Sequence, residues 1–243
     1  MVNKMNKHVK YDRHDQEWKS CINDLEKNKI ALTWLSDKST LDRWRHNRFY
    51  DLIRPIISYN SNDSWLTIGD GRFGTDAHAL LKMGAKNVHC SDISDELLKI
   101  GNENGFINSF SAQNAEFLQF NENSFDYVYC KEALHHFLRP YQGLYEMIRV
   151  CKKAIILNEP RDINLDRPIF GFLYNLFINL LGRSKDTHQF EPVGNYVYSI
   201  STREMEKFLL GMHFNCIAFY SINDAYEEGI EFINLDSKNK ADI

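Results

Sequence analysis

Apolar positions follow a helical period near the N-terminus and a strand-helix alternation afterwards. From Trp18 to Ser58 the pattern is helical, with Ala31, Trp34 and Leu35 on one face. Ser39 or Thr40 stands where the cap of a second helix belongs, one running through Leu41, Trp44 and Tyr50 to Ile53. Trp65-Leu66-Thr67-Ile68 is then a short apolar run ending at Gly69, the pattern of a buried strand and a turn. Thr75 or Asp76 caps a helix with Ala77, Leu80 and Leu81 on one face, closed by Gly84. Val88–Ser91 is a second strand with Asp92 at its end. A helix from Asp95 to Ile100 and a weak strand near Ile107–Ala112 follow. Phe125–Cys130 is a fourth strand and Ala154–Leu157 a fifth. Between them Pro140 opens a helix whose stripe is Leu144, Met147, Ile148 and Cys151. Strands alternating with helices predict right-handed crossovers around a parallel, doubly wound α/β sheet.

The last third breaks the alternation. About forty residues separate the fifth strand from a capping box at Ser201-Thr202-Arg203-Glu204, which opens a helix through Met205, Phe208 and Leu209 to Gly211. Within that stretch Pro168–Gly182 is a helix apolar nearly all round, except for Asn175 and Asn179. Such a helix has to be covered, and a buried position or a homodimer contact is the simplest cover. Asn215–Ser221 and Gly229–Leu235 are strand-like, and the polar loop Asn223–Glu228 joins them as an antiparallel hairpin. The expected organisation is an N-terminal helical cap over 1–58 and one domain over 59–243, with a helical lid inserted at about 160–200.

Composition narrows the function classes. The 243 residues are 43% hydrophobic and 26% charged, enough for a packed core. The net charge of -4 argues against a dominant attraction to a phosphate backbone. Cys21, Cys90, Cys130, Cys151 and Cys216 are scattered and odd in number. They suit a reducing cytoplasm better than a disulfide framework or a structural zinc site. Met1–Trp18 has no apolar signal segment, and Ile169–Leu181 is too short to cross a bilayer, so no stable membrane insertion is expected.

Gly69-Asp70-Gly71-Arg72-Phe73-Gly74 matches G-x-G-x-x-G between a strand and a helix, where glycines let the backbone approach a ligand. Asp92 follows Gly71 by 21 positions, at the end of the next strand, where a carboxylate can accept both hydroxyls of a ribose. Asn114-Ala115-Glu116 lies 22 positions further on, where the Asn oxygen can accept from an adenine amino group. Three successive strand ends would thus hold three parts of one adenosine ligand.

With these motifs, and with Ser124-Phe125-Asp126-Tyr127-Val128 and Leu134-His135-His136-Phe137, the stretch Trp65–Pro160 resembles the core of a class I S-adenosylmethionine-dependent methyltransferase. The likeness is to the broad group of ubiquinone/menaquinone-type and small-molecule enzymes, over about 40% of the chain. The resemblance implies a Rossmann-like sheet of seven strands with the last antiparallel, a place the terminal hairpin would fill. It implies S-adenosylmethionine as cofactor. Gly69, Asp70 and Gly71 would lie in the loop under its methionine and ribose, Asp92 would bind the ribose, and Ile93, Asn114 and Ala115 would meet the adenine. Lys131 would contribute backbone near the sulfonium. Thr67 departs from the family, which usually carries an acid there.

Methyl transfer to a hydroxyl needs alignment and a base. His135 and His136 follow the fourth strand, and His136 is the favoured base because the segment faces the methyl donor in the resembling family. Glu132, Glu159 and Asp162 have no tight metal-ligand spacing, so no metal is assigned. Substrate contacts are expected from the least regular parts. These are the N-terminal helix with Arg43, Arg45, His46 and Tyr50, and the insertion with His188, Glu191, Asn195, Tyr196 and Tyr198. A small-molecule hydroxyl acceptor is the leading reading. A nucleic-acid (tRNA) methyltransferase is disfavoured by the charge and by Cys130-Lys131-Glu132-Ala133 after the fourth strand, which lacks the Asn/Asp-Pro-Pro-aromatic signature. A dinucleotide oxidoreductase leaves Asn114 and the histidines unused, and a non-catalytic nucleotide-binding module is the remaining alternative.

Overall fold

The computed structural model describes residues 25–35, 39–162, 169, 172, 173, 176, 177, 180, 196–224, 226, 227 and 229–235. Helices α1 (Leu25–Trp34), α2 (Leu41–Asp51) and α3 (Arg54–Tyr59) precede the sheet. The alternating unit is β1 (Ser64–Ile68), α4 (Thr75–Lys82), β2 (Asn87–Asp92), α5 (Glu96–Glu103), β3 (Phe110–Ala112), β4 (Phe125–Lys131), α6 (Pro140–Val150) and β5 (Cys151–Asn158). Helix α7 (Thr202–Gly211) follows the insertion. Every strand of the expected parallel series forms. The sheet order is β3-β2-β1-β4-β5, all parallel. Chain direction through the sheet reverses between β1 and β4, and a crevice opens beyond the strand ends at that switch point.

Register brings the chemistry to one edge. Ile68 pairs with Ser91 and Cys130, Asp92 with Ala112, and Lys131 with Asn158. Alternating side chains feed two cores. Leu66, Ile68, Val128 and Cys130 pack with Leu144 and Met147 of α6 and with Met205 and Leu209 of α7. Trp65, Val88, Cys90 and Tyr129 pack with Ile57 of α3 and with Ala77 and Leu80 of α4. Full burial of each large aliphatic side chain contributes about 1.5–3 kcal/mol, so the sheet is a rigid base for its loops. A smaller cluster, Trp34, Phe73 and Leu97, seats α1 on the glycine turn.

The caps follow local chemistry, with one exception. Thr40 caps α2 by accepting the Arg43 N–H at 3.2 Å, and the Ser201–Glu204 capping box opens α7. Helix α4 is not capped by Thr75 or Asp76. Its free amides at Asp76 and Ala77 donate to the Asp70 carboxylate at 3.0 and 2.8 Å. An acid six residues upstream thus does the work expected of the adjacent hydroxyl.

The terminal hairpin is corrected. Among the described residues there are five strands, with no antiparallel sixth and seventh. The run Gly229–Leu235 holds a 3-10 turn, Ile230–Phe232, and its backbone is taken by the N-terminal side. Leu41 N–H donates to Ile233 O and Leu235 N–H to Ser39 O, each at 2.8 Å, around a Thr40–Asn234 bridge. Run 215–221 therefore has no strand partner among the described residues, and its Phe219 and Tyr220 are exposed. The apolar helix differs as well. Its described residues Ile169, Phe172, Leu173, Leu176, Phe177 and Leu180 are exposed in the single chain, which removes the buried position and leaves the homodimer contact as the cover expected of it. Among the described residues no helix is long and apolar enough to cross a membrane.

Candidate functional site

The glycine turn is shaped to face Asp92. At Gly69 φ is +72°, and a Cβ there would lie 2.3 Å from the Ala133 Cβ, so only glycine lets the turn pass under the segment after β4. A Cβ on Gly71 would lie 2.8 Å from Asp92 Oδ2, so its absence leaves a cradle between backbone and carboxylate. Asp92 accepts the Ser94 N–H at 3.0 Å through Oδ1. Burial pushes its carboxyl up to about 6, against the pull of the Ser94, Ile93 and Gly71 amides.

Asp70 plays another part. Its carboxylate is held beneath the loop by Thr67 Oγ1 at 2.9 Å as well as by the two α4 amides. Burial and the neighbouring Asp76 push it up to about 8. The acid that the resemblance places at position 67 is thus supplied from position 70, with Thr67 as its hydrogen-bond donor.

Beyond β3 the chain is clamped. Gln113 N–H donates to Asp92 O at 2.7 Å. Asn114 Oδ1, the atom expected to meet an adenine amino group, already accepts the Glu116 N–H at 2.9 Å, which leaves one lone pair for a ligand. Glu116 is fully buried and accepts the Arg139 backbone N–H at 2.9 Å and its Nε at 2.5 Å. This pair ties the segment carrying Ala115 to the start of α6.

The opposite wall is built from charges far apart in sequence. Lys131 is buried with Nζ 3.4 Å from Asp76 and 3.2 Å from Glu132. Burial pulls its ammonium down, and the two carboxylates more than offset that, leaving it raised. Arg45 from α2 is gripped by Asp224 through Nε at 2.8 and 2.9 Å, by Asp42 through Nη1 at 3.1 Å and by Glu132 through Nη2 at 3.5 Å. Burial, with Lys131 and Arg45 nearby, drives His46 far below the usual histidine range, so its ring is neutral. Arginine only donates, so His46 Nε2 accepts from Arg45 Nη1 at 3.2 Å.

The two histidines after β4 differ in their partners. His135 Nδ1 lies 2.5 Å from Glu159 Oε2, while Glu159 Oε1 accepts the Ala133 and Leu134 amides at 3.0 and 2.9 Å. The His136 ring sits beside that of His135 with centroids 3.9 Å apart. Among the described residues no cluster of three or more His, Cys, Asp or Glu is arranged to hold a metal ion.

These parts enclose a cavity of about 760 Å³, within the range of small-molecule and cofactor sites. Gly69, Asp70, Gly71, Asp92, Ile93, Asn114, Ala115, Lys131, His135, His136, Arg45 and His46 all line it. Tyr196 and Tyr198 do not. Both are exposed, their rings edge-on at 5.1 Å, and the insertion reaches the site through Tyr198 N–H, which donates to His135 O at 2.9 Å. His188, Glu191 and Asn195 lie outside the described residues. Sequence reasoning missed Trp34, Asp76, Gln113, Tyr226 and Glu231 on the lining. Trp34 carried a signal as an apolar position on α1, and Asp76 one as a cap candidate for α4. Even without Asp70, the acids Asp42, Asp76, Asp92, Glu116, Glu132 and Glu231 outnumber Arg45, Arg72 and Lys131 there, so the lining favours a cationic ligand. The cradle at Gly71 and this acid surplus fit a nucleoside that carries a sulfonium.

Comparison with known proteins gives the same direction. A family model described as a methyltransferase domain matches residues 66–157. No curated protein matches. Among solved structures, a methyltransferase from Bacillus halodurans aligns at 21% identity over 66% of this chain and 66% of that one, with a TM-score of 0.49. The YcgJ protein from Bacillus subtilis aligns at 24% over 66% and 65%, TM-score 0.50. Magnesium protoporphyrin IX methyltransferase from Synechocystis, with bound S-adenosylmethionine, aligns at 14% over 81% and 84%, TM-score 0.53. The chain spans just under two thirds of the first two structures, and at these identities the likeness to the second and third is one of fold. The family match and the motif-bearing strand ends agree on one stretch: residues 66–157 match a methyltransferase domain.

Proposed function

We propose that the protein transfers a methyl group from S-adenosylmethionine to a hydroxyl of a small-molecule acceptor. The observation that carries this reading is one cavity with a ribose-type carboxylate, Asp92, on one wall and a histidine pair, His135–His136, on another. Bound S-adenosylmethionine supplies a methyl already activated on a sulfonium. Asp92 holds the ribose hydroxyls, and Gly69 and Gly71 leave room for the backbone to approach. Ile93 and Ala115 contact the adenine, with Asn114 at its edge, and Lys131 lies toward the sulfonium. A histidine of the pair takes the acceptor's proton, and the surrounding walls hold oxygen and methyl in line.

Residues 1–58 act as a cap in this reading. Support comes from Ile30, Trp34, Asp42, Arg45 and His46, which line the cavity from that side. The remainder, 59–243, is the methyltransferase domain, and the insertion at about 160–200 is its lid. Arg45 is saturated by carboxylates and serves to hold the roof together. Free Cys90, Cys130, Cys151 and Cys216 suit a reducing cytoplasm. The acid surplus of the lining disfavours a polyanionic acceptor such as tRNA.

The deciding experiment is a product-mass screen of sugars, phenols, quinone precursors and lipid-linked intermediates with isotopically labelled methyl donor. A labelled ether product is the expected result. Labelled amine or carbon products would change the acceptor atom. Binding of the donor without product from any acceptor would favour a non-catalytic module.

A further inference from the structure

Glu159 stands immediately after β5, beside the turn that follows β4, because Lys131 and Asn158 are paired in the sheet. Its side chain is nearly buried, as is that of His135. Oxygen Oε1 accepts two backbone amides, those of Ala133 and Leu134, which fixes the carboxylate plane. Oxygen Oε2 meets His135 Nδ1 at 2.5 Å, a hydrogen bond shorter than the usual N–H···O distance. A carboxylate already accepting two N–H groups stays an acceptor toward the ring, so Nδ1 carries the hydrogen. Nε2 is then the ring nitrogen with a free lone pair, on a residue that lines the cavity. The Tyr198 N–H bond to His135 O holds the residue's backbone from the other side.

We propose that Glu159 is a positioning residue that locks His135 in the Nδ1–H tautomer, making its Nε2 the base for the acceptor hydroxyl. The proposal rests on the methyl-transfer reading and chooses between the two histidines. The hydroxyl O–H bond breaks with its proton going to Nε2. The oxygen lone pair forms the new bond to the methyl carbon, and the broken C–S pair stays on sulfur. The positive charge lost by the sulfonium reappears on the imidazolium, directly beside the Glu159 carboxylate, and the proton later passes to water.

A structural role is separable from this one. Glu159→Gln keeps an oxygen for the Ala133 and Leu134 amides but turns an NH2 toward Nδ1, which forces the hydrogen onto Nε2. Ring 15N spectra of full-length protein labelled at histidine and saturated with S-adenosylhomocysteine report the tautomer. His135→Gln assigns the resonance by its loss. The expected result is Nδ1–H in the native protein and Nε2–H in Glu159→Gln. With the acceptor returned by the product-mass screen, kcat should fall about a hundredfold or more in both variants, with KM for the donor unchanged. Nε2–H in the native protein, an unchanged tautomer in Glu159→Gln, or native kcat in either variant overturns the proposal. Calorimetry with S-adenosylhomocysteine keeps the two readings apart. A native protein that gives no binding heat sinks the methyl-transfer reading, whereas one that binds with the wrong tautomer sinks only the role of Glu159.

Discussion

The two walls of the cavity are held together by different means. The wall around Gly71, Asp92 and Ala115 is made where successive strands of one sheet end. Its key contacts are backbone geometry and short-range bonds, such as Asp92 with Ser94 and Asn114 with Glu116. The wall around Arg45 is made by joining α2 to residues 224–235, through an ion pair spanning 179 positions. Sheet register sets the first, and balance among several buried charges sets the second. A change on the first wall should therefore act on ligand binding, and a change on the second on stability.

The largest effect should come from Gly69→Val. It forces a branched side chain into positive φ and against Ala133, so the turn must move. Calorimetry with S-adenosylhomocysteine, run well below a Tm lowered by several degrees, should show affinity reduced a hundredfold or more. An unmoved affinity would break the assignment of this wall to the donor.

Asp92→Asn should weaken the same affinity by roughly ten- to a hundredfold, the worth of hydrogen bonds to a charged acceptor. The native protein should show a related pH dependence. Asp92 is pushed up to about 6, so its full acceptor capacity is present above that pH, and donor affinity should fall up to about tenfold per unit below it. The sign for the free protein is opposite. The folded value exceeds the ordinary carboxylate value, so ionising Asp92 removes native stability as pH rises from about 4 to 6, and a thermal melt series without ligand should show Asp92→Asn flattening that trend.

The smallest effect on binding should come from Arg45→Met, with less than threefold change in donor affinity. It leaves Asp42, Glu132 and Asp224 without their shared cation. Stability should drop by about 3 kcal/mol, or roughly 6–12 °C in Tm. A variant that lost affinity and kept its Tm would reverse the comparison.

The same contrast explains what the sequence revealed. The glycine turn, Asp92, Asn114 and the histidine pair are short patterns fixed to strand ends, and all of them line the cavity. The caps at Thr40 and Ser201 are equally local. The cap of α4 escaped notice because Asp70 reaches it across a turn that Thr75 and Asp76 follow directly. The pairing of Glu159 with His135 depends on how β4 and β5 align, which no spacing along the chain reveals. The false hairpin had strand-like composition in both halves, but alternation does not choose a partner, and residues 39–41 took the second half. The exposed stripe from Ile169 to Leu180 is the reverse case. Its helical spacing was visible, and what it faces was not.

The clip between residues 39–41 and 233–235 has a consequence for traffic. Two backbone bonds and the Arg45–Asp224 grip fasten the roof, whereas a five-stranded parallel sheet forms the floor. Letting reactants in and spent products out thus needs only this clip to part, a local opening that leaves the sheet intact.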